Sequence, residues 1–149
     1  MISAVSFVDH ATAEGMMPRT DWAMISITGF NPYTVNNEAD LHPDWAEVLR
    51  LEFDDVSIRG DQFHGITEDQ AAQIIAFLNA VQHKVDKVFV HCLAGVSRSA
   101  GVAKFIADRY GLEFDHTYGL FNRLVYDTLK EVEAGVRDGK AGCMIGEPP

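Results

Sequence analysis

The segment VFVHCLAGVSRSAGVAKFIADRY, residues 88–110, constrains the fold of this chain more than any other stretch. An apolar run rich in β-branched residues is followed by a loop of small side chains and then by an amphipathic helical pattern. A short run that is apolar throughout is typical of a central strand covered on both faces. We therefore predict a strand at 86–92, a tight loop, and a helix at about 98–110.

The other apolar stretches of the chain alternate with helical patterns. Three of them predict further strands: ISAVSFV (2–8), AMISITGF (23–30) and EVLRLEF (47–53). Strands interleaved with helices predict one α/β domain over 1–149, in which helices flank a central, mostly parallel (mixed) sheet.

Two more helices are predicted from their start and stop signals. Thr67 and Gln70 match a capping box, so a helix is expected over 67–84. A last helix is expected over about 115–133, with Gly111 at the stop position before it.

The charge and composition of the chain exclude several classes of partner. A net charge of −10 without a Lys/Arg cluster argues against nucleic acid and anionic membrane surfaces. No apolar run approaches membrane-spanning length and MISAVSFVDH is not a basic leader, so we expect no anchor or secretory signal. Only Cys92 and Cys143 are present, which favours a reducing, cytoplasmic setting. No histidine or cysteine pair has metal-ligand spacing, so we expect neither a metal nor another cofactor.

Cys92 stands where the predicted strand meets the loop. In open α/β sheets, ligands bind at the carboxyl ends of strands, beside helix N-termini. The small side chains of residues 93–97 allow successive backbone amides to turn inward as an anion-binding nest, and the helix that follows adds the positive end of its dipole. Arg98 offers a planar fork that matches two phosphate oxygens. The segment therefore predicts a cup for a tetrahedral anion.

The same surroundings predict that Cys92 is a thiolate. A free thiol has a pKa of about 8.5, and sites of this kind lower it to roughly 3.5–7.5. Reaching a pKa of about 5 requires about 5 kcal/mol, of which a helix dipole supplies at most about 2 kcal/mol. The loop amides, the charge of Arg98 and the hydroxyl of Ser99 must supply the rest. The ring nitrogens of His91 can orient the loop.

Residues 91–100, HCLAGVSRSA, resemble the signature loop of the cysteine-dependent protein tyrosine phosphatases, and the AGVSRSA portion resembles the dual-specificity branch. In that loop a His-Cys pair is followed by five residues, an arginine, and a serine or threonine. The order of elements over roughly 22–133 is also similar to that of small members. The resemblance implies a dual-specificity-phosphatase-like fold and a phosphoprotein phosphatase that hydrolyses phosphotyrosine monoesters, with phosphoserine and phosphothreonine left open.

The resemblance also implies a role for each residue of the signature loop. Cys92 would attack phosphorus to form a phosphocysteine, Ser99 would help the cysteine leave when water attacks, and His91 would support the loop. The phosphate oxygens would be held by the Arg98 side chain and by the loop backbone, which comprises Leu93, Ala94, Gly95, Val96, Ser97 and Arg98.

The family also requires an aspartate on a separate upstream loop, first as general acid and then as general base. Residues 54–65, DDVSIRGDQFHG, follow a predicted strand and are expected to form a mobile surface loop. We predict that Asp55 is the acid, in preference to Asp54, with Asp61 as the third candidate. Farther along the chain, Asn122 and Tyr126 could brace the signature loop or simply pack.

Three functions remain open from the sequence. Leu93, Ala94 and Val96 stand where phosphoinositide-directed relatives place lysines, so a phosphorylated protein or peptide is the favoured substrate of a phosphatase. A non-catalytic phospho-binding module on the same fold would need neither the thiolate nor the acid. A sulfur-transfer or thiol-redox enzyme would not need an arginine and a serine after five loop residues. The oligomeric state is left open.

Overall fold

The computed structural model of this protein describes residues 1–29, 38–58 and 64–137. Four strands and four helices lie in these ranges: β1 (Ala4–Val8), α1 (His10–Gly15), β2 (Trp22–Thr28), β3 (Glu47–Glu52), α2 (Glu68–Val81), β4 (Lys87–His91), α3 (Arg98–Tyr110) and α4 (Arg123–Arg137). The four predicted strands and the helices expected over 67–84 and 98–110 are thereby confirmed. Within the described part of the chain, no helix is long and apolar enough to cross a lipid bilayer.

The sheet is parallel at every pairing of its described strands, whereas the sequence predicted a mostly parallel, mixed sheet. Each connection between consecutive strands is long enough to cross over and return to the same edge. The strand order is β1-β4-β2-β3, so β4 is an interior strand, as predicted. Val8 and Ser26 pair with His91, the last residue of β4. The segments that follow the strands therefore gather around Cys92 at one edge of the sheet.

Alternate residues of β4 face two different cores. Val88 and Val90 belong to the larger core, to which α2, α3 and α4 contribute, while Phe89 packs with Met24 and Trp45 in a smaller core that includes α1. The period-2 alternation of a strand explains this division, and burial on both faces explains the continuous apolar run. The predicted buried face of α2 is confirmed, since each of its members is buried: Ala71, Ile74, Ile75, Leu78 and Val81.

Helix α2 begins, and helix α3 ends, at the signals that the sequence carries. The side-chain oxygen of Thr67 accepts a hydrogen bond from the amide of Gln70 at 3.1 Å, and the Gln70 side chain accepts one from the amide of Thr67 at 3.0 Å. The predicted capping box is therefore confirmed. Helix α3 ends at Tyr110 and is capped by Gly111, whose φ of +65° lies in the left-handed region that favours glycine.

The sequence prediction was wrong about where the last helix starts, and it missed the first helix. Helix α4 begins at Arg123, after Asn122, whose side-chain oxygen accepts from the amide of Val125 and caps the first turn. Asp115 accepts hydrogen bonds from the amide and hydroxyl of Thr117 and holds the start of the predicted helix in a turn. Helix α1 begins after Asp9, whose carboxylate accepts a hydrogen bond from the amide of Thr12 at 3.1 Å. Aspartate is a favoured N-cap residue, so a signal for α1 was present in the sequence.

Candidate active site

Cys92 lies between β4 and α3, at the carboxyl edge of the sheet. Its Sγ is 3.1 Å from the hydroxyl oxygen of Ser99 in the first turn of α3, and only 2% of the residue is exposed. Cys92 is a free cysteine, while Cys143 lies outside the described residues. The strand, loop and helix therefore bring the thiol to a helix N-terminus, as the sequence predicted.

Opposing effects set the pKa of the Cys92 thiol, and the net result is a lowered pKa. Burial is the largest single effect and raises the pKa, because it penalises the charged thiolate. The hydroxyl of Ser99, the backbone amides of Ser99 and Gly95, and the charge of Arg98 lower it and together outweigh burial. The groups expected to favour the thiolate therefore do so in this fold.

Gly95 allows the signature loop to curl against the end of β1. Its φ is +68°, in the left-handed region. A Cβ at this position would lie 2.5 Å from the amide nitrogen of Asp9 and 2.7 Å from the carbonyl carbon of Val8, so a larger residue would be strained and would also clash. The amide of His10 donates to the carbonyl oxygen of Leu93 at 3.1 Å. The end of β1 and the start of α1 thereby hold one side of the loop.

Tyr118 holds the signature loop from the segment that precedes α4. Its hydroxyl donates to the carbonyl oxygen of Val96 at 2.5 Å. Burial, and after it the charge of Cys92, raises the pKa of Tyr118, so the hydroxyl keeps the proton that it donates. The side chains of Leu93 and Val96 remain exposed, so the loop presents apolar groups to solvent beside the thiol.

Arg98 joins the signature loop to the end of β3. The residue is buried, and its Nη1 donates to the carbonyl oxygen of Phe53 at 2.9 Å. A Cβ at Gly29 would lie 3.4 Å from that Nη1 and 2.9 Å from Oδ1 of Asp54. The missing side chain at Gly29 therefore lets the guanidinium and Asp54 approach the end of β2. The guanidinium is therefore held between the signature loop and the ends of β2 and β3.

The two neighbouring aspartates have different partners. Oδ1 of Asp55 accepts hydrogen bonds from the hydroxyl of Ser97 at 2.8 Å and from the side-chain amide of Asn122 at 2.8 Å. Asp54 lies beside His64 instead, with Oδ2 3.4 Å from the amide nitrogen and 3.8 Å from ring Nδ1. Asp55 therefore contacts the signature loop directly, while its role as the general acid stays a prediction.

His91 is a buried, neutral residue that contacts the neighbouring strand β2. Its Nε2 lies 2.6 Å from the hydroxyl oxygen of Ser26, and its Nδ1 lies 3.3 Å from the carbonyl oxygen of Cys92. Because a carbonyl oxygen only accepts, we assign the proton to Nδ1, and Nε2 accepts from Ser26. Burial lowers the pKa of His91 to about 4. The ring is therefore neutral at neutral pH and orients the end of β4.

We expect His91 to make the protein less stable in acid. The pKa of the ring is 6.5 in the unfolded chain and about 4 in the folded protein. The unfolded state therefore binds more protons in this window, and stability falls as the pH drops from 6.5 towards 4. The free energy of unfolding should decrease by about 3 kcal/mol over the window, with about 2 kcal/mol lost by about pH 5. Urea unfolding at neutral pH and near pH 5 measures the difference.

A matched pair of variants isolates this contribution. His91→Gln removes the titrating ring and should make the acid loss smaller, whereas glutamine at the exposed His83 should leave that loss intact. An acid loss of the same size in His91→Gln and in the wild type would mean that another group titrates.

Several partners of the loop could not be found from the sequence. Ser26 and Tyr118 carry no local motif and reach the site only through strand pairing and through the turn before α4. Asn122 does contact the site, whereas the hydroxyl of Tyr126 binds the carboxylate of an aspartate in α3. Asp61, the third candidate for the acid, lies outside the described residues.

Comparison with known proteins identifies the fold. No family model and no curated protein matches the chain. The crystal structure of a human tyrosine phosphatase-like serine/threonine/tyrosine-interacting protein is similar, with a TM-score of 0.55 and 20% identity over 79% of this chain and 80% of that chain. A second structure, Tk-PTP in its active form, has a TM-score of 0.46 and 17% identity over 87% of this chain and 78% of that chain. The first of these structures shows that the chain has a dual-specificity-phosphatase-like fold, as the resemblance of its signature loop implied.

Proposed function

We propose that this chain is a phosphoprotein phosphatase that forms a phosphocysteine intermediate on Cys92. The observation that supports this most directly is the position of the Cys92 thiol, 3.1 Å from the Ser99 hydroxyl and at the N-terminus of α3, in surroundings that lower its pKa. The thiolate is the nucleophilic form of cysteine. Arg98 and Asp55 both link the signature loop to the segment that follows β3. Arg98 donates to the carbonyl oxygen of Phe53, and Asp55 accepts from the hydroxyl of Ser97.

In the first step of the proposed reaction, the Cys92 thiolate attacks phosphorus. A sulfur–phosphorus bond forms, and the bond from phosphorus to the substrate oxygen breaks. Arg98 and the loop amides bind the phosphoryl oxygens as charge develops on them. Asp55, in its protonated form, gives its proton to the leaving oxygen.

In the second step, water attacks the phosphocysteine. The Asp55 carboxylate takes a proton from that water, and inorganic phosphate is released. The sulfur–phosphorus bond breaks with its electron pair on Sγ, where the Ser99 hydroxyl stabilises the thiolate that forms. Both steps use side chains and amides of this chain alone, so the proposal involves no cofactor.

We propose a phosphorylated protein or peptide as the substrate, with phosphotyrosine as the leading phosphoresidue. Leu93 and Val96 are exposed and uncharged, so a multiply phosphorylated inositol headgroup gains no lysine contact from the loop. The chain's net charge of −10 likewise disfavours nucleic acid. A reducing cytoplasm suits a thiolate that would otherwise oxidise. Peptides of one sequence carrying phosphotyrosine, phosphoserine or phosphothreonine would rank the three by kcat/KM.

The decisive experiment for the proposed function is hydrolysis of p-nitrophenyl phosphate by the full chain in the presence of a metal chelator. We expect turnover that orthovanadate inhibits, because vanadate resembles the transferred phosphoryl group in its pentacoordinate state. The matched control is Cys92→Ser, which should not turn over. Inorganic phosphate binding should be measured on the same samples.

Two results would overturn the proposed activity. Tight phosphate or phosphopeptide binding without turnover would favour a phospho-binding module. The similar human structure has a name of that kind, a tyrosine phosphatase-like serine/threonine/tyrosine-interacting protein. Formation of thiocyanate from thiosulfate and cyanide would favour a sulfur-transfer enzyme.

A further inference from the structure

Asn122 connects three parts of the molecule, which are the signature loop, the segment that holds Asp55 and helix α4. It lies directly before α4 and is only 4% exposed. Its backbone amide donates to the carbonyl oxygen of Ser97 in the signature loop at 2.9 Å. Its side-chain Nδ2 donates to Oδ1 of Asp55 at 2.8 Å and to the carbonyl oxygen of Val56 at 3.0 Å. Its side-chain Oδ1 accepts from the amide of Val125 at 3.0 Å and so caps α4.

We propose that Asn122 is a positioning residue that holds the Asp55 carboxyl group for proton transfer, an inference that rests on the proposed function. Oδ1 of Asp55 accepts from both Asn122 and Ser97. Among the described residues, the side-chain hydrogen bonds of Asp55 involve Oδ1 and not Oδ2. An oxygen with two donors has little capacity left for a proton of its own. The proton that Asp55 gives to the leaving group is therefore carried on Oδ2.

The chemistry of this position calls for an asparagine. One amide group supplies two N–H donors towards Asp55 and Val56 and an acceptor towards α4, whereas a carboxylate supplies no donor. A serine caps a helix about as well as asparagine, but its single, shorter hydroxyl cannot make the second bridge while it does so.

Packing against α3 fixes the place from which Asn122 acts. A Cβ at Gly101 would lie 2.8 Å from the carbonyl oxygen of Asn122 and 3.1 Å from the Cβ of Val125, so α3 approaches the start of α4 closely. The amides of Gly101 and Asn122 both donate to the carbonyl oxygen of Ser97. The backbone of Asn122, whose side chain bonds to Asp55, is therefore held by contacts with both Gly101 and Ser97.

The test of this inference is Asn122→Ser, which keeps a helix cap and loses the donor to Asp55. With a phenol-like leaving group the turnover number should fall by about ten- to a hundredfold, the size of effect produced by misplacing a catalytic group by about 1 Å. With an acidic leaving group, such as a fluorinated coumarin, turnover should change far less, since departure then needs little proton transfer. The Kd for inorganic phosphate should not change, because the loop and Arg98 stay in place.

Two further variants separate positioning from general stability. Asn122→Asp retains the acceptor for Val125 but places a carboxylate oxygen against Asp55, so it should give the same leaving-group-dependent loss. Thr67→Ala removes the cap of α2 instead, and it should lower the melting temperature without changing the dependence on the leaving group. The same measurements in an Asp55→Asn background should show no further loss when Asn122 is replaced, because the two residues act through one proton transfer.

The outcomes distinguish this inference from the proposed function. Asn122 would have only a structural role if its replacement lowered turnover equally with both leaving groups, or if its loss added in full to that of Asp55→Asn. The proposed function would still stand in that case, provided that turnover depends on Cys92. A wild-type chain that hydrolyses neither ester would overturn the function and the inference together.

Discussion

Replacement of Cys92 by serine should abolish turnover while leaving phosphate binding in place. An alcohol is far less ionised than a thiol, so the variant has no nucleophile comparable to the thiolate. We expect turnover to fall by at least about a thousandfold, since removal of the nucleophile from another covalent hydrolase lowers kcat by about a millionfold. The amides of Gly95 and Ser99 and the guanidinium of Arg98 are unchanged, and a serine carries no charge that would repel phosphate.

Two measurements on Cys92→Ser check this expectation. Pre-steady-state experiments with excess p-nitrophenyl phosphate should show no burst of nitrophenol. Titration with inorganic phosphate should give a Kd no weaker than that of the wild type. Retention of more than a trace of wild-type turnover would contradict the assignment of Cys92 as nucleophile. Loss of phosphate binding together with turnover would instead mean that the substitution disturbs the signature loop.

The second large effect is expected from the aspartate that protonates the leaving oxygen. Asp55→Asn should lower the turnover number by roughly a hundred- to ten-thousandfold with a leaving group as basic as tyrosine, because general acid catalysis is worth about that much. With an acidic fluorinated coumarin the loss should be much smaller, because that oxygen leaves without a proton. Asp54→Asn should show no such dependence, since Asp54 lies beside His64, whereas the carboxylate that accepts from Ser97 is that of Asp55.

The measurement is the turnover number of each variant against leaving-group pKa for a series of aryl phosphates. The slope should steepen for Asp55→Asn and match the wild type for Asp54→Asn. A steeper slope for Asp54→Asn alone would exchange the roles of the two residues. In that case the general acid would be the aspartate whose Oδ1 lies near Gly29, as does Nη1 of Arg98.

The sequence by itself determined the features that depend on neighbours a few residues away. The capping box joins Thr67 to Gln70, three positions later, and Gly111 ends α3 through its own backbone conformation. The strand, loop and helix over 88–110 follow from apolar periodicity and from small residues at consecutive positions. The location of Cys92 and Arg98 in one loop is likewise local, since six positions separate them. Local hydrogen bonds and side-chain periodicity act between residues a few positions apart, so these features can be predicted from the sequence pattern alone.

Only the tertiary structure decided which distant segments meet the signature loop. Asp55 bonds to Ser97 across 42 positions and to Asn122 across 67, and His91 bonds to Ser26 across 65. These contacts require the order β1-β4-β2-β3 and the parallel register, which bring the ends of strands far apart in the chain to one edge of the sheet. Helix α4 starts where Asn122 bonds to Ser97 and caps its first turn, and so its start also depends on contact with another segment. These long-range contacts give no periodic pattern in the sequence, because they depend on how the helices and strands pack against one another.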